Sequence, residues 1–137
     1  MKKARKGFVL AVTGGMASGK STLASQLRRN GASYISMDEL AHTLYEPGKS
    51  VYKRLVRAFG RGITGPGGAI DRVRLGGIVF NDARAMARLE GIIHPVLRRV
   101  AAAAIWRMRQ ASPLGVVETG PLLFQLGLDR LADGVVL

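Results

Sequence analysis

The sequence predicts one α/β domain built on a parallel sheet. Its strands are predicted at three short apolar segments, residues 8–12, 34–36 and 114–117. The first and last segments are continuously apolar rather than alternating, as expected when helices cover both faces of a parallel sheet. Segments with helical spacing separate these strands, and this alternation is typical of the α/β class.

The helices are predicted from apolar spacing and from stop signals. One helix follows the first strand and ends at Asn30-Gly31, and another carries its apolar residues over 51–59 and ends before Gly60. A third is predicted to begin at Pro95, with His94 as its cap, and to carry an apolar stripe from Leu97 to Met108.

Composition excludes several classes of protein. The chain has 137 residues, of which 47% are hydrophobic and 22% charged, so its bulk is predicted to be globular rather than disordered. The absence of cysteine excludes disulfides, thiolate metal sites and thiol nucleophiles. No apolar run approaches the roughly 20 residues of a membrane span, and the run over 8–12 is too short for an export signal. We therefore expect a cytoplasmic protein without a membrane partner.

The formal net charge of +12 permits two interpretations. Nucleic acid is the usual partner of such charge, and one set of arginines could form an anion-binding surface: Arg84, Arg88, Arg98, Arg99, Arg107 and Arg109. Aromatic residues make up only 6% of the chain, and no nucleic-acid motif is present. A solvated cationic face is therefore favoured over a nucleic-acid surface. The sequence does not predict an oligomeric state.

A phosphate-binding loop is the most specific motif of the chain. Residues 14–21 match the pattern G-x-x-x-x-G-K-[ST], between a predicted strand and a predicted helix. Backbone N–H groups of such a loop converge on phosphate oxygens, the lysine neutralises the β and γ phosphates, and the hydroxyl reaches Mg²⁺. The predicted ATP-binding residues are Gly14, Gly15, Met16, Ala17, Ser18, Gly19, Lys20, Ser21 and Thr22.

Two acidic residues follow predicted strands, where parallel sheets gather ligand groups. Asp38 is a candidate base that accepts a proton from an attacking hydroxyl, and the alternative is a helix N-cap. Glu118 is a candidate second acidic group that, with Ser21, holds Mg²⁺, and the alternative is an ordinary strand-end charge. The loop alone does not distinguish a GTPase, an ATPase and a small-molecule kinase.

Two further segments bear on the organisation of the chain. The glycine-rich segment 60–69 is interpreted as a mobile surface connection rather than a linker between domains. Residues 134–137 begin like another buried strand, so we expect the sequence to be incomplete at its C-terminus.

Several stretches together resemble one enzyme family, dephospho-coenzyme A kinase. They are Val12-Thr-Gly-Gly-Met-Ala-Ser-Gly-Lys-Ser-Thr22, Ile35-Ser-Met-Asp-Glu-Leu-Ala-His42, Glu46-Pro-Gly48, Ile70-Asp-Arg72, Ile78-Val-Phe80, Leu89-Glu-Gly-Ile-Ile-His-Pro95 and Pro121-Leu-Leu-Phe124. The resemblance covers nearly the whole sequence. It departs from the family at Ser36, where an acidic residue is usual, at Gln125 in place of glutamate, and in one extra residue between Glu118 and Pro121.

The resemblance implies transfer of the γ-phosphoryl group of ATP to the ribose 3′-hydroxyl of dephospho-CoA. It implies that Asp38 is the catalytic base and that Arg72 and His94 lie on the substrate side. The implied fold is the three-layer P-loop kinase fold with a five-stranded parallel sheet. Its helical substrate-binding insertion falls within 39–110 of a single domain, residues 1–137. The family's lid and adenine contacts come after the last strand seen here, so we expect a C-terminally shortened member.

Two rival functions remain open at this stage. One is a P-loop kinase for another small metabolite or nucleoside. The other is a basic nucleic-acid-binding module with a residual phosphate loop, whose RNA binding would depend steeply on salt and not on Lys20.

Overall fold

The fold comes from a computed structural model that describes residues 7–13, 20–120 and 122–136. Two compact units divide the chain, one formed by residues 1–40 and 98–137 and the other by residues 41–97. The second unit lies within the segment 39–110 that is expected to carry the substrate-binding region. The two are described separately below and are called the sheet unit and the helical unit.

The sheet unit contains four parallel strands, in the order β2-β3-β1-β4. The strands are β1 (Phe8–Val12), β2 (Ser33–Ser36), β3 (Leu114–Glu118) and β4 (Gly134–Val136). The strands predicted from apolar runs, including the last one, are therefore confirmed. The fifth strand implied by the family resemblance has no counterpart among the described residues.

Six helices accompany the strands in the part of the chain that is described. They are α1 (Lys20–Arg29), α2 (Met37–Leu44), α3 (Ser50–Phe59), α4 (Arg72–Val79), α5 (Ala83–Ala111) and α6 (Leu122–Gln125). Gly31 and Gly60 follow α1 and α3 with φ values of 96° and 86°, as their prediction as helix stops requires. Short 3-10 turns occupy Arg61–Ile63, Pro66–Gly68 and Leu128–Arg130.

Helix α5 begins earlier than its sequence predicts. Pro95 lies in the interior of the helix rather than at its first turn, so the prediction that His94 caps a helix is wrong. A proline lacks the N–H that would bond the carbonyl of Gly91, one turn earlier, which normally ends or kinks a helix. Apolar residues on both sides of the proline, such as Ile92 and Leu97, are buried on the continuous helix. Their burial outweighs the lost hydrogen bond.

Helices cover both faces of the sheet, and this is visible at two successive residues of β3. A Cβ atom at Gly115 would lie 2.1 Å from Sδ of Met108 on α5, so the glycine is required where that helix approaches. The next residue, Val116, is buried with Val12, and Leu27 of α1 packs against them. Because successive strand residues point to opposite faces, α5 and α1 lie on opposite sides of the sheet. The predicted three-layer architecture is thus confirmed.

The helical unit has its own apolar core, which includes Leu55 and Ile63 at 0% exposure. The glycine-rich segment belongs to this folded unit. Thr64 and Ile70 form an antiparallel bridge across it, and the hydroxyl of Tyr52 donates to the carbonyl of Gly68. These contacts attach the segment to α3.

A buried ion pair joins α5 to the sheet. Nη1 of Arg109 lies 2.6 Å from Oδ2 of Asp133, and both side chains are less than a tenth exposed. Arg109 also donates to the carbonyls of Gly7 and Leu131, and Oδ2 of Asp133 accepts from the backbone N–H of Val9 at 2.7 Å. The pair therefore connects the start of β1, the end of α5 and the segment that leads into β4.

We predict that Asp133→Ala lowers the free energy of unfolding by about 3–5 kcal/mol, because it leaves the Arg109 charge buried and unpaired. Urea unfolding monitored by circular dichroism measures the loss. The matched control is Asp129→Ala, which removes a nearby carboxylate with no described partner and should cost less than about 1 kcal/mol. Equal losses in the two variants would contradict the role given to the pair.

In the described ranges, no helix combines the length and the apolar character that crossing a bilayer requires.

Candidate active site

The carboxyl ends of the four strands form one row of backbone neighbours. Val12 pairs with Glu118 and with Val136, and Glu118 also pairs with Ser36. Thr13 continues from β1 and donates its hydroxyl to the carbonyl of Gly120 at 3.2 Å. In open parallel sheets, ligands bind outside this edge. Glu118 thus lies between the strand that leads into the phosphate-loop motif and the strand that leads to Asp38.

The phosphate loop itself, residues 14–19, lies outside the described residues. Lys20 is the first residue of α1, so the motif opens a helix as predicted. The positive end of that helix dipole is suited to phosphate. The positions of the Lys20, Ser21 and Thr22 side chains stay predictions.

Asp38 lies in the first turn of α2 and is exposed. Oγ of Ser36 accepts the backbone N–H of Glu39 at 3.3 Å, so Ser36 provides the capping contact of this helix. The alternative interpretation of Asp38 as the N-cap is therefore wrong. Among the described residues, the Asp38 carboxylate has no hydrogen-bond or ion-pair partner, which leaves it available to a substrate. The Ser36 departure from the family pattern preserves a capping oxygen while removing one negative charge.

Glu118 accepts a hydrogen bond from the hydroxyl of Tyr34 on the adjacent strand. Tyr34 is paired with Val116, so Glu118 is its diagonal neighbour on the same face of the sheet. Cζ of Arg28 lies 4.8 Å from the centre of the Tyr34 ring, a cation–π contact with α1. Burial raises the pKa of the Tyr34 phenol to about 12, and the hydrogen bond to Glu118 and its charge act in the same direction. Tyr34 therefore stays a proton donor that orients the Glu118 carboxylate.

Within the described residues, no group of three or more His, Cys, Asp or Glu side chains is arranged to hold a metal ion. Mg²⁺ at a phosphate loop keeps several waters and takes one or two protein oxygens plus substrate phosphates, so a single carboxylate is a donor of the kind it uses. Glu118 is the acidic side chain at the sheet edge that matches this need.

Arg72 lies in the helical unit, at the first position of α4. Its Nη1 contacts Nε2 of His42, so the arginine donates and the imidazole nitrogen accepts. With Tyr45 these residues line a cavity of about 270 Å³. Burial raises the pKa of the Tyr45 phenol, although the positive charge of Arg72 opposes the shift. The cavity offers a cation and a phenol hydroxyl to a ligand.

His94, which the family resemblance also assigns to the substrate side, does not line this cavity and lies half-buried on α5. The residue that contacts Arg72 is His42. Sequence reasoning assigned His42 no role, because the partner lies far along the chain and no spacing rule connects the two.

Tyr34 was also missed. Its contact with Glu118 can be predicted once Ser36 and Glu118 are aligned at the ends of β2 and β3, because this alignment places Tyr34 diagonal to Glu118. That alignment requires the strand order, which the sequence did not supply.

The arginine surface considered from sequence does not form as a set. Arg109 is buried in its ion pair with Asp133, and Nε of Arg98 donates to the carbonyl of Leu126 at 2.8 Å. Two of the six arginines therefore serve the packing of the sheet unit, and the support for a nucleic-acid surface weakens.

We predict that Tyr34 ionises well above the ordinary phenol pKa of 10.0. The raised pKa contributes stability that is present below about pH 10 and is lost as the pH rises through about 12, since the unfolded phenol ionises first. The ionisation of Tyr34 is measured by an alkaline titration of phenolate absorbance, as the difference between the unchanged chain and Tyr34→Phe. Glu118→Gln should lower the Tyr34 pKa toward its ordinary value without reaching it, because burial remains. Ionisation of Tyr34 near pH 10 in the unchanged chain would refute the contact.

A family model described as dephospho-CoA kinase matches residues 8–137 of the chain. Among curated proteins, the chain is 40% identical over 129 residues to the dephospho-CoA kinase of Moorella thermoacetica, covering 93% of this chain and 61% of that one. It is 42% identical over 132 residues to the dephospho-CoA kinase of Symbiobacterium thermophilum, with 93% and 53% covered. The chain thus spans little more than half the length of these relatives.

Two solved structures resemble the fold. Dephospho-CoA kinase from Campylobacter jejuni gives a TM-score of 0.78 at 28% identity, with 93% of this chain and 64% of that one covered. The protein TT1252 from Thermus thermophilus gives a TM-score of 0.77 at 31% identity, with 96% and 64% covered. The match of the family model over residues 8–137, together with these likenesses in sequence and fold, shows that the chain belongs to the dephospho-CoA kinase family.

Proposed function

We propose that the protein is an ATP-dependent kinase that phosphorylates the ribose 3′-hydroxyl of dephospho-CoA, giving CoA and ADP. The observation that carries the proposal is the position of Glu118, between β1, which leads into the phosphate-loop motif, and β2, which leads to the exposed carboxylate of Asp38. Phosphoryl transfer depends on positioning and on charge stabilisation at such an edge. Family membership supports the identity of the acceptor.

In this proposal the loop 14–22 holds the ATP phosphates with its backbone N–H groups, and Lys20 neutralises the β and γ phosphates. The 3′-oxygen of the acceptor forms a bond to the γ-phosphorus, while the bond between that phosphorus and the β–γ bridging oxygen breaks. The proton of the 3′-hydroxyl passes to the Asp38 carboxylate, which is exposed and free of described partners. The bridging oxygen leaves with ADP.

Mg²⁺ is the metal ion proposed for this site. Ser21 would hold it through its hydroxyl, and Glu118 through water or directly, while Tyr34 fixes the orientation of the Glu118 carboxylate. When bound, the ion neutralises charge that develops on the phosphate oxygens.

The acceptor is proposed to bind through the helical unit. Arg72 presents a guanidinium suited to a phosphate group, and its contact with His42 fixes one of its nitrogens. His94 is proposed as a further substrate residue from the family resemblance. The protein is proposed to act in the cytoplasm, where ATP is present, and cell fractionation followed by immunoblotting tests this.

Two substitutions test the division between binding and chemistry. Lys20→Ala should abolish tight ATP binding in calorimetry, because the charge that holds the β and γ phosphates is lost. Asp38→Asn should leave ATP binding nearly intact and lower kcat by at least about a hundredfold, because the amide cannot accept the proton. A full rate in Asp38→Asn would refute the assignment of the base.

The role of Arg72 is tested by steady-state kinetics. Arg72→Ala should raise KM for dephospho-CoA by at least about tenfold, the effect of losing a charge-assisted hydrogen bond, with KM for ATP nearly unchanged. Arg61→Ala is the control, since Arg61 is exposed and its side chain has no described partner. A rise in KM for ATP alone would show that Arg72 contributes to nucleotide binding and not to acceptor binding.

The acceptor itself is identified by measuring ATP-dependent phosphorylation of dephospho-CoA beside adenosine and other nucleosides. The assay is run on this chain and on the longest protein that its gene encodes, because the chain spans little more than half the length of its relatives. Preference for dephospho-CoA in either protein supports the proposal. Preference for a nucleoside, or inactivity of both proteins, overturns it.

A further inference from the structure

A cavity in the helical unit is lined by three arginines from two helices. Its volume is about 360 Å³, with Arg54 and Arg57 on α3 and Arg88 on α5. The other described residues that line it are Ala58, Gly91 and Ile92, so among the described residues no acidic side chain faces it. We call it the triple-arginine cavity.

The three guanidinium groups have no protein partner in the part of the chain that is described. Each arginine is exposed, and none makes a hydrogen bond or ion pair to another described residue. By contrast, Arg74 lies 3.5 Å from Asp71, and Arg109 is paired with Asp133. Like charges at positions i and i+3 of a helix, as at Arg54 and Arg57, repel each other. Without an anion, the arrangement is electrostatically unfavourable.

The wall of the cavity leaves room for a ligand. Ala58 carries only a methyl group and Gly91 has no side chain, and a Cβ atom built at Gly91 would meet nothing within 4 Å. The volume falls in the range of small-molecule sites, about 300–1,000 Å³.

We propose that the triple-arginine cavity binds a diphosphate or triphosphate group, at residues separate from those of the phosphate loop. Each guanidinium presents a planar fork that matches two phosphate oxygens. A single carboxylate satisfies one such fork, whereas an oligophosphate offers oxygens in several directions to all three. The inference goes beyond the proposed kinase reaction and does not depend on it.

Isothermal titration calorimetry with inorganic tripolyphosphate tests the proposal. In a Lys20→Ala background, which weakens the phosphate loop, one binding site is expected to remain. Adding Arg57→Gln and Arg88→Gln should lower its affinity by at least about tenfold, the effect of losing charge-assisted hydrogen bonds. The matched control adds Arg99→Gln and Arg107→Gln, which remove the same charge from exposed residues outside the cavity and should leave the affinity nearly unchanged.

Equal losses in the two double substitutions would overturn the proposal, because net charge alone would then explain binding. Binding of ATP without binding of tripolyphosphate would also overturn it, since recognition would then lie in the nucleoside. Should Lys20→Ala fail to fold, the same pairs are compared in the unchanged chain. There Arg57→Gln with Arg88→Gln must remove one tripolyphosphate site that the control pair retains.

Thermal unfolding gives a second readout that separates binding from folding. Without tripolyphosphate, Arg57→Gln with Arg88→Gln should not lower Tm, because it relieves repulsion. With tripolyphosphate, the Tm of the Lys20→Ala chain should rise, and the rise should disappear when the cavity arginines are replaced. A rise that persists would refute the site.

Discussion

The buried pair of Arg109 and Asp133 is the interaction on which the sheet unit depends most. Its hydrogen bonds reach the carbonyl of Gly7, the N–H of Val9 and the carbonyl of Leu131, so one charge pair joins segments that are distant in sequence. The pair also sits at the end of α5, whose packing on Gly115 sets the distance between helix and sheet. Two charges are costly to bury, and the backbone hydrogen bonds around them offset that cost.

At the opposite ends of the strands, the same sheet arranges the groups that suit chemistry. Strand pairing aligns Ser36, Glu118 and Val12 in one row. The Tyr34 hydroxyl then orients Glu118, and the capping oxygen of Ser36 leaves the Asp38 carboxylate exposed. The candidate site thus follows from register and capping.

The sequence predicted the strands from continuous apolar runs, and it predicted from glycines at fixed spacing that the phosphate-loop motif opens a helix, because both depend on local pattern. It misplaced the start of α5 because Pro95 is a strong local stop signal, whereas the burial that overrides it is tertiary. It missed the contact of His42 with Arg72 and the ion pair of Arg109 for a similar reason, since each partner lies far along the chain. The sequence did not predict the triple-arginine cavity, because Arg54 and Arg57 on α3 line the same cavity as Arg88 only when α3 and α5 pack together.

The strand order has a consequence for synthesis on the ribosome. β1 is translated before the other three strands, yet both strands that hydrogen-bond to it, β3 and β4, follow the whole helical unit along the chain. β2 likewise pairs only with β3. Both β1 and β2 therefore leave the ribosome before their partner strands, and their unpaired backbone groups can bond to other nascent chains. The helical unit, contiguous over 41–97, precedes β3 along the chain and leaves the ribosome before it, so its burial of apolar residues can precede that of the sheet.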